Sequence, residues 1–354
     1  MTKKMGRLLL FLAITMLLVA ACSKEEPAED PIPEPDVDEK IVEEEPVEEV
    51  SVELFPASFT GVMMEEESTR RPVLATINNH PLARPQSGIS EADIIYELAA
   101  EGSVTRLLAL FQSELPAEIG PIRSARDYFV HIAKGLDAFY VAHGYSPDAK
   151  QLLEKRVVDN VNGMQYDGTL FWRSKDRRAP HNSYISGDNI LAAEEKTNSS
   201  MEISVLSPFV FHESVEDAKM GDRVSSITVK YSSDPNFTSI YAYDVEKGTY
   251  ARTVNGYVTI DKANDKQLEL SNILVFEAPH RTIDSVGRQA VNIESGGKAM
   301  LFQAGIAKEI DWENRDGILI PIENGLPAKL VPGQTWIHVV PVNPGISTAI
   351  TFTP

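Results

Sequence analysis

Arg123 and Arg126 follow Gly120-Pro121-Ile122 and bracket Ser124, the residue expected to open a helix in capping-box fashion through Ser124-Ala-Arg-Asp127. The free N–H groups and dipole of a helix N-terminus favour negative charge, so two guanidiniums placed there point to a carboxylate, phosphate or sulfate as ligand. Arg84, in the loop Ala83-Arg84-Pro85-Gln86-Ser87-Gly88, and Arg173, in the long polar loop from Trp172 to Asn182, are expected to arrive at the same place. Four guanidiniums so gathered repel one another unless something negative stands between them. Asn78 and Asn79 end a predicted strand, Gln86 lies in the loop beyond it, and His143, His181 and Asn182 come from later loops. Strand ends and the loops after them are where mixed chains build sites. With Glu97 and Arg106 from a predicted hairpin, these residues form the candidate ligand-binding set.

Each of them also has a plain structural reading. Arg123 or Arg126 could pair with Asp127, Glu97 or Glu101, and Glu97 with Arg106 could be a cross-strand pair. A single histidine such as His143 is more often a hydrogen-bonded structural residue than a base. His131 and Asp127 stand at helical i, i+4 spacing and read as a surface pair rather than metal ligands. The chain has no Gly-x-Ser-x-Gly elbow, no His-Glu-x-x-His, no glycine-rich phosphate loop and no Ser-x-x-Lys with its companion motifs. No catalytic motif is therefore recognisable, and no cofactor or metal site is expected. A hydrolase using His143 or Glu97 as base and a solute-binding lipoprotein of a transporter stand as alternatives to a binding protein.

The elements that must position these residues have two textures. Val73 to Ile77, Asp93 to Leu98, Val104 to Phe111 and Ala138 to Ala142 read as strands, with Glu101-Gly102 as a hairpin turn. Helices are expected after Ser124, with Gly135 as the stop, and after Ser146-Pro147. From about residue 222 the chain reads as strand after strand: Ser226 to Tyr231, Ser239 to Tyr243, Thr249 to Val254, Ile273 to Glu277, Lys298 to Gln303, Gly317 to Ile322 and Thr335 to Val342. Asn255-Gly256 is its strongest hairpin signal. The fold class is α/β or α+β: a layered mixed-sheet N-terminal domain with helices over residues 58–205 and a strand-rich C-terminal domain over 206–354. Residues 200 to 222 read as the connector, and whether the two halves share one sheet is left open.

Location is written at the start of the chain. Lys3, Lys4 and Arg7 precede the apolar run Leu8 to Val19, and small residues then meet Cys22, the one cysteine of 354 residues. This is a secretory signal over 1–22, since the run is shorter than the roughly 20 residues that span a bilayer. Residues 23 to 53 carry 14 acidic residues and two lysines, with prolines at 27, 31, 33, 35 and 46. Such a stretch buries no core, so 23–57 is expected to be a disordered tether. The net charge of -19 disfavours nucleic acid as a partner, and losing the three cationic residues of the leader makes the remainder more acidic still. Anionic headgroups repel such a body, so the membrane is to be met through lipid alone.

Val19-Ala20-Ala21-Cys22 resembles the lipobox of bacterial lipoproteins. That resemblance implies diacylglycerol on the Cys22 sulfur, cleavage before it, an amino group open to acylation such as palmitate, and a place on the outer face of the cell membrane. Arg71-Pro72 through Asn78-Asn79, Ala83 to Gly88, Ala92 to Glu97, Gly120 to Arg126, Ala142-His143-Gly144 and Ala179-Pro180-His181-Asn182 resemble, in order, the YerB-like family of bacterial lipoproteins. The likeness runs on through Tyr241-x-Tyr243-Asp244, Tyr250-x-Arg252, Gly296-Gly297 and Gly333-Gln334-Thr335-Trp336-Ile337, covering roughly residues 60 to 345. It implies a two-part layered architecture and no reaction. The reading reached is a membrane-anchored extracytoplasmic lipoprotein that binds an anionic or glycan-like envelope ligand, or a protein partner, through a polar Arg/Asn/His groove in its N-terminal domain.

Overall fold

A computed structural model describes residues 53–203 and 207–354. The leader, Cys22 and residues 23–52 of the expected tether lie outside them. Phe55–Pro56 pairs with Met63–Met64 and Ala57 is buried, so the last residues given to the tether belong to the folded body.

The core is a mixed sheet of twelve strands that draws on both halves of the chain, in an α+β fold rich in strand. The hairpin Ile94–Glu101 and Val104–Phe111 turns at Gly102, whose φ of 56° a side chain would resist. Val73–Asn78 pairs antiparallel with Val104–Phe111 and parallel with Phe139–Ala142. On its other side Ile94–Glu101 runs parallel to Thr335–Pro341, with Glu97 opposite His338. Thr335–Pro341 in turn lies beside Asn272–Ala278, Gly297–Gln303 and Ile306–Arg315 follow, and Ile318–Glu323 pairs with the last of these. The halves therefore share one sheet.

Near-continuous apolar runs such as Val73–Asn78 and Ile94–Glu101 are buried on both faces, as central strands must be. One face packs on the helix Asp127–Gly135 through Phe129, Ile132 and Ala133. The other meets a five-stranded antiparallel sheet through Ile227, Val229, Tyr241 and Tyr250, together with Ile190 and Ala193 of the helix Gly187–Thr197. In the smaller sheet Asn255 and Gly256, at φ 50° and 78°, make the tight turn between Thr249–Val254 and Tyr257–Val258.

Two expectations are corrected. The stretch 200–222 is more than a connector, because Val210–Phe211 pairs with Lys329–Leu330 and Asp222–Arg223 with Ile306–Ala307. Ser124 does not cap the helix: the N-cap is Arg126, with no side-chain cap, and the Ser124 hydroxyl donates to the carbonyl of His143 at 3.2 Å. Ser146 does cap the helix Pro147–Glu154, accepting from the Ala149 N–H.

Candidate functional site

The candidate residues fall into three groups. The first surrounds Glu97, 1% exposed between the two sheets. Its Oε1 accepts from the Thr105 hydroxyl at 2.8 Å and the Asn79 amide at 3.1 Å, and its Oε2 from Arg252 at 3.3 Å. Asn79 is filled on its other side, its Oδ1 accepting from Arg84 Nε and Gln86 Nε2, both at 3.1 Å. Arg84 also donates to the carbonyls of Asn79 and Asn236. The Arg252 guanidinium donates to Thr259 and lies over the Trp336 ring, 4.3 Å from its centroid. Burial pushes the Glu97 carboxyl up, but Arg252, with the Thr105 hydrogen bond and Arg84, holds the group ionised, below the ordinary carboxylate value.

His338 is neutral, and its neighbours fix the tautomer. The Tyr231 hydroxyl donates to the Glu97 carbonyl at 2.6 Å, so it can only accept from His338 Nδ1, 3.2 Å away. Nε2 is then the acceptor of the Tyr241 hydroxyl at 2.7 Å. Burial, opposed by Glu97 and reinforced by Arg252, lowers this imidazole to about 4. The network joins strands from both ends of the chain, and its acid is shut away from any substrate.

The second group is structural too. Glu101 takes two bonds from Arg106, at 2.8 and 2.9 Å, and an ion pair from Arg126. Both arginines are buried, at 4% and 5% exposure, and each also donates to a nearby backbone carbonyl: Arg106 to Ser124, Arg126 to Ala125. The expected convergence of Arg84, Arg123, Arg126 and Arg173 on one helix end is therefore corrected, because the buried Arg126 is turned onto the Glu101 carboxylate.

Arg123 anchors the third group. Its backbone bonds Thr76 and His143, but its half-buried side chain makes no hydrogen bond or ion pair among the described residues. Burial, with Arg106 adding repulsion, lowers its guanidinium to about 10, and it stays cationic at neutral pH. Three histidines feel that charge: His80, His143 and His181 are each held below the usual imidazole value, by burial first, with Arg123 among the groups that lower them further.

Hydrogen bonds set their protons. The Asn78 Oδ1 accepts from the His80 N–H at 3.0 Å, so its amide nitrogen must be the donor to His181 Nδ1 at 2.9 Å. His80 Nδ1 accepts from the Leu82 N–H at 3.2 Å, and the two rings stack 4.6 Å apart. Both neutral imidazoles thus carry hydrogen on Nε2. His143 is the reverse case: Arg173 can only donate to its Nε2, at 2.9 Å, so Nδ1–H donates to Ser183 Oγ at 2.7 Å. Arg173 is held in turn by Asp167 and Asn182. Donors dominate here, and among the described residues the Arg123 side chain has neither a hydrogen bond nor a counter-ion.

Of the candidates, Asn78, Arg123, His143, Arg173, His181 and Asn182 thus share one surface region, which sequence reasoning completed except for His80 and Ser183. Asn79, Arg84, Gln86 and Glu97 belong to the inter-sheet network, whose partners Arg252, Tyr231, Tyr241 and His338 it missed. One signal was available. Arg252 stands between Tyr250 and Val254 in an alternating strand, on the buried face, where a charge demands a carboxylate.

Comparison with known proteins gives the lineage. A family model described as protein of unknown function (DUF3048), N-terminal domain, matches residues 59–200, and its C-terminal domain model matches residues 227–337. The chain is 43% identical over 288 residues, 80% of its length and 86% of the relative's, to a Bacillus subtilis protein described as "Putative lipoprotein YerB". The crystal structure of YerB from Bacillus subtilis superposes with a TM-score of 0.77 at 40% identity, covering 85% of this chain and all of that one. The chain belongs to this family of YerB-like lipoproteins.

Proposed function

We propose that the protein is anchored through Cys22 on the outer face of the cell membrane and that its body binds an anionic group of an envelope glycan at Arg123. The observation that carries the reading is a half-buried guanidinium with no counter-charge among the described residues, close enough to act on three neutral imidazoles, two of which carry hydrogen on Nε2. An anion there would gain charge-assisted hydrogen bonds and relieve the repulsion between Arg123 and Arg106. The acidic stretch 23–52 supports the same picture as a spacer between lipid and body, with a reach on the order of 100 Å at about 3 Å per residue.

The hydrolase alternative is less well supported. Glu97 is enclosed, and His143 has both ring nitrogens engaged, one of them by a cation. A transporter's solute-binding protein would be expected to close two similar lobes, whereas here one sheet runs through both halves.

Titrating the protein with inorganic phosphate and with purified anionic wall glycan, and following the histidine ring resonances, tests the reading. Saturable shifts at His80 and His181 are expected, with binding weakened by about 1.5–3 kcal/mol in Arg123→Ala. Equal affinity of wild type and Arg123→Ala would refute it.

A further inference from the structure

A cavity of about 400 Å³, large enough for a small organic ligand, opens between the loop that carries Arg84 and the hairpin that turns at Asn255-Gly256. Pro81, Pro85, Val254 and Ile260 give it apolar walls. Tyr257, 77% exposed on a two-residue strand at the edge of the smaller sheet, stands at its rim. Arg123 is not among the residues that line it, so the cavity can be filled whether or not an anion binds there.

The charges at its polar end cancel: Glu97 pairs with Arg252, and Asp234 acts on Arg84. The hydrogen bonds do not. Gln86, 2% exposed, spends both amide hydrogens on the Asn78 carbonyl and Asn79 Oδ1, which fixes the orientation of the amide and leaves its Oε1 without a hydrogen bond among the described residues. Arg84 bonds Asn79 and Asn236 through Nε and Nη2, and its Nη1 likewise makes no hydrogen bond among the described residues. One acceptor on a buried side chain and one donor are therefore uncommitted in a cavity with no net charge. An anion would find no surplus charge here, and a hydrocarbon would strand both polar atoms.

We propose that this cavity binds an uncharged N-acetylhexosamine unit of a glycan. Its hydroxyl and acetamido groups meet Arg84 Nη1 and Gln86 Oε1, its methyl lies among the proline and aliphatic walls, and its apolar ring face covers Tyr257. Hydroxyls and amides donate and accept without charge, and a pyranose adds a C–H face for which an exposed tyrosine ring offers contact area. The acetamido methyl buries against walls that a plain hexose would leave unfilled.

The test is a titration of the full chain with N,N′-diacetylchitobiose, followed by saturation-transfer NMR on the saccharide. Saturable binding is expected, with strong transfer at the acetyl methyl, and cellobiose, which has hydroxyls in place of the acetamido groups, should bind about tenfold more weakly. Tyr257→Ala, at an exposed position, should keep the melting temperature and weaken the disaccharide about tenfold, and Arg84→Gln should weaken it about as much. Should Arg84→Gln disturb the fold, Tyr257→Ala still decides. Inorganic phosphate, the probe for Arg123, should leave this affinity unchanged. Absence of saturable binding, cellobiose or N-acetylalanine methylamide as tight as the disaccharide, displacement by phosphate, or unchanged affinity in Tyr257→Ala would overturn the proposal.

Discussion

Glu97 and Arg123 stand on strands or loops of the same half of the chain, each among arginines, histidines and asparagines, and they do opposite things. Around Glu97 nearly every polar atom has a partner, and those partners come from both sheets; the Arg252 Nε is an exception, buried without a hydrogen bond against Trp336. Around Arg123 the neighbours bond one another and leave the guanidinium unanswered. Residue type does not separate a lock from a site; the balance of charge and hydrogen bonds does.

The comparison can be broken most forcefully at the lock. Glu97→Ala strands Arg252 between the sheets, and urea unfolding should show a loss of about 3–5 kcal/mol. A loss under about 1 kcal/mol would mean that the inter-sheet pair holds nothing. Arg126→Ala removes one of two arginines from Glu101, which is itself partly exposed and keeps Arg106, so a smaller loss of about 1–3 kcal/mol is expected in the same measurement.

Acid sharpens the contrast. The folded His338 titrates near 4 against an ordinary 6.5, so between those values the unfolded chain binds the extra proton. Its contribution to stability is therefore intact above about pH 6.5 and is lost as pH falls toward 4, by at most about 1.4 kcal/mol per pH unit. The lowered Glu97 pKa acts with the same sign, so the His338 share is read as the difference between wild type and His338→Gln. Parallel stability–pH curves for the two proteins would remove His338 from the account.

Arg123→Ala is the mildest change. Melting should move by no more than about 0.5 kcal/mol in stability, because no bond of the described body is lost, while phosphate-induced stabilisation disappears. A large fall in melting temperature would make Arg123 a structural residue like Arg126.

Truncation to a chain beginning near Leu54 should leave the melt unchanged from one beginning near Ser23, as expected of a segment too acidic and proline-rich to pack. The strand Phe55–Pro56 sets the limit of that trimming, since it pairs with Met63–Met64.

The sequence by itself determined the local features of this protein. Alternation and apolar runs marked Val104–Phe111 and Thr249–Val254 at their observed bounds, Asn-Gly and Glu-Gly marked their turns, and Ser146-Pro147 marked a helix start, because each depends on neighbours within a few residues. Ile306–Arg315 escaped, since Lys308, Glu309, Asp311 and Glu313 interrupt its apolar positions and leave no continuous run. The polar candidates were legible as a set but not as the three groups into which the fold divides them. Which guanidinium meets a carboxylate depends on the parallel register that sets Glu97 opposite His338, and on a second sheet that brings Arg252 across from 155 residues away. Arg126 and Arg123 differ by three positions and look alike in sequence. The fold buries one against Glu101 and leaves the other without a counter-charge near three imidazoles, because charge is balanced in space and only tertiary packing decides which charges are neighbours.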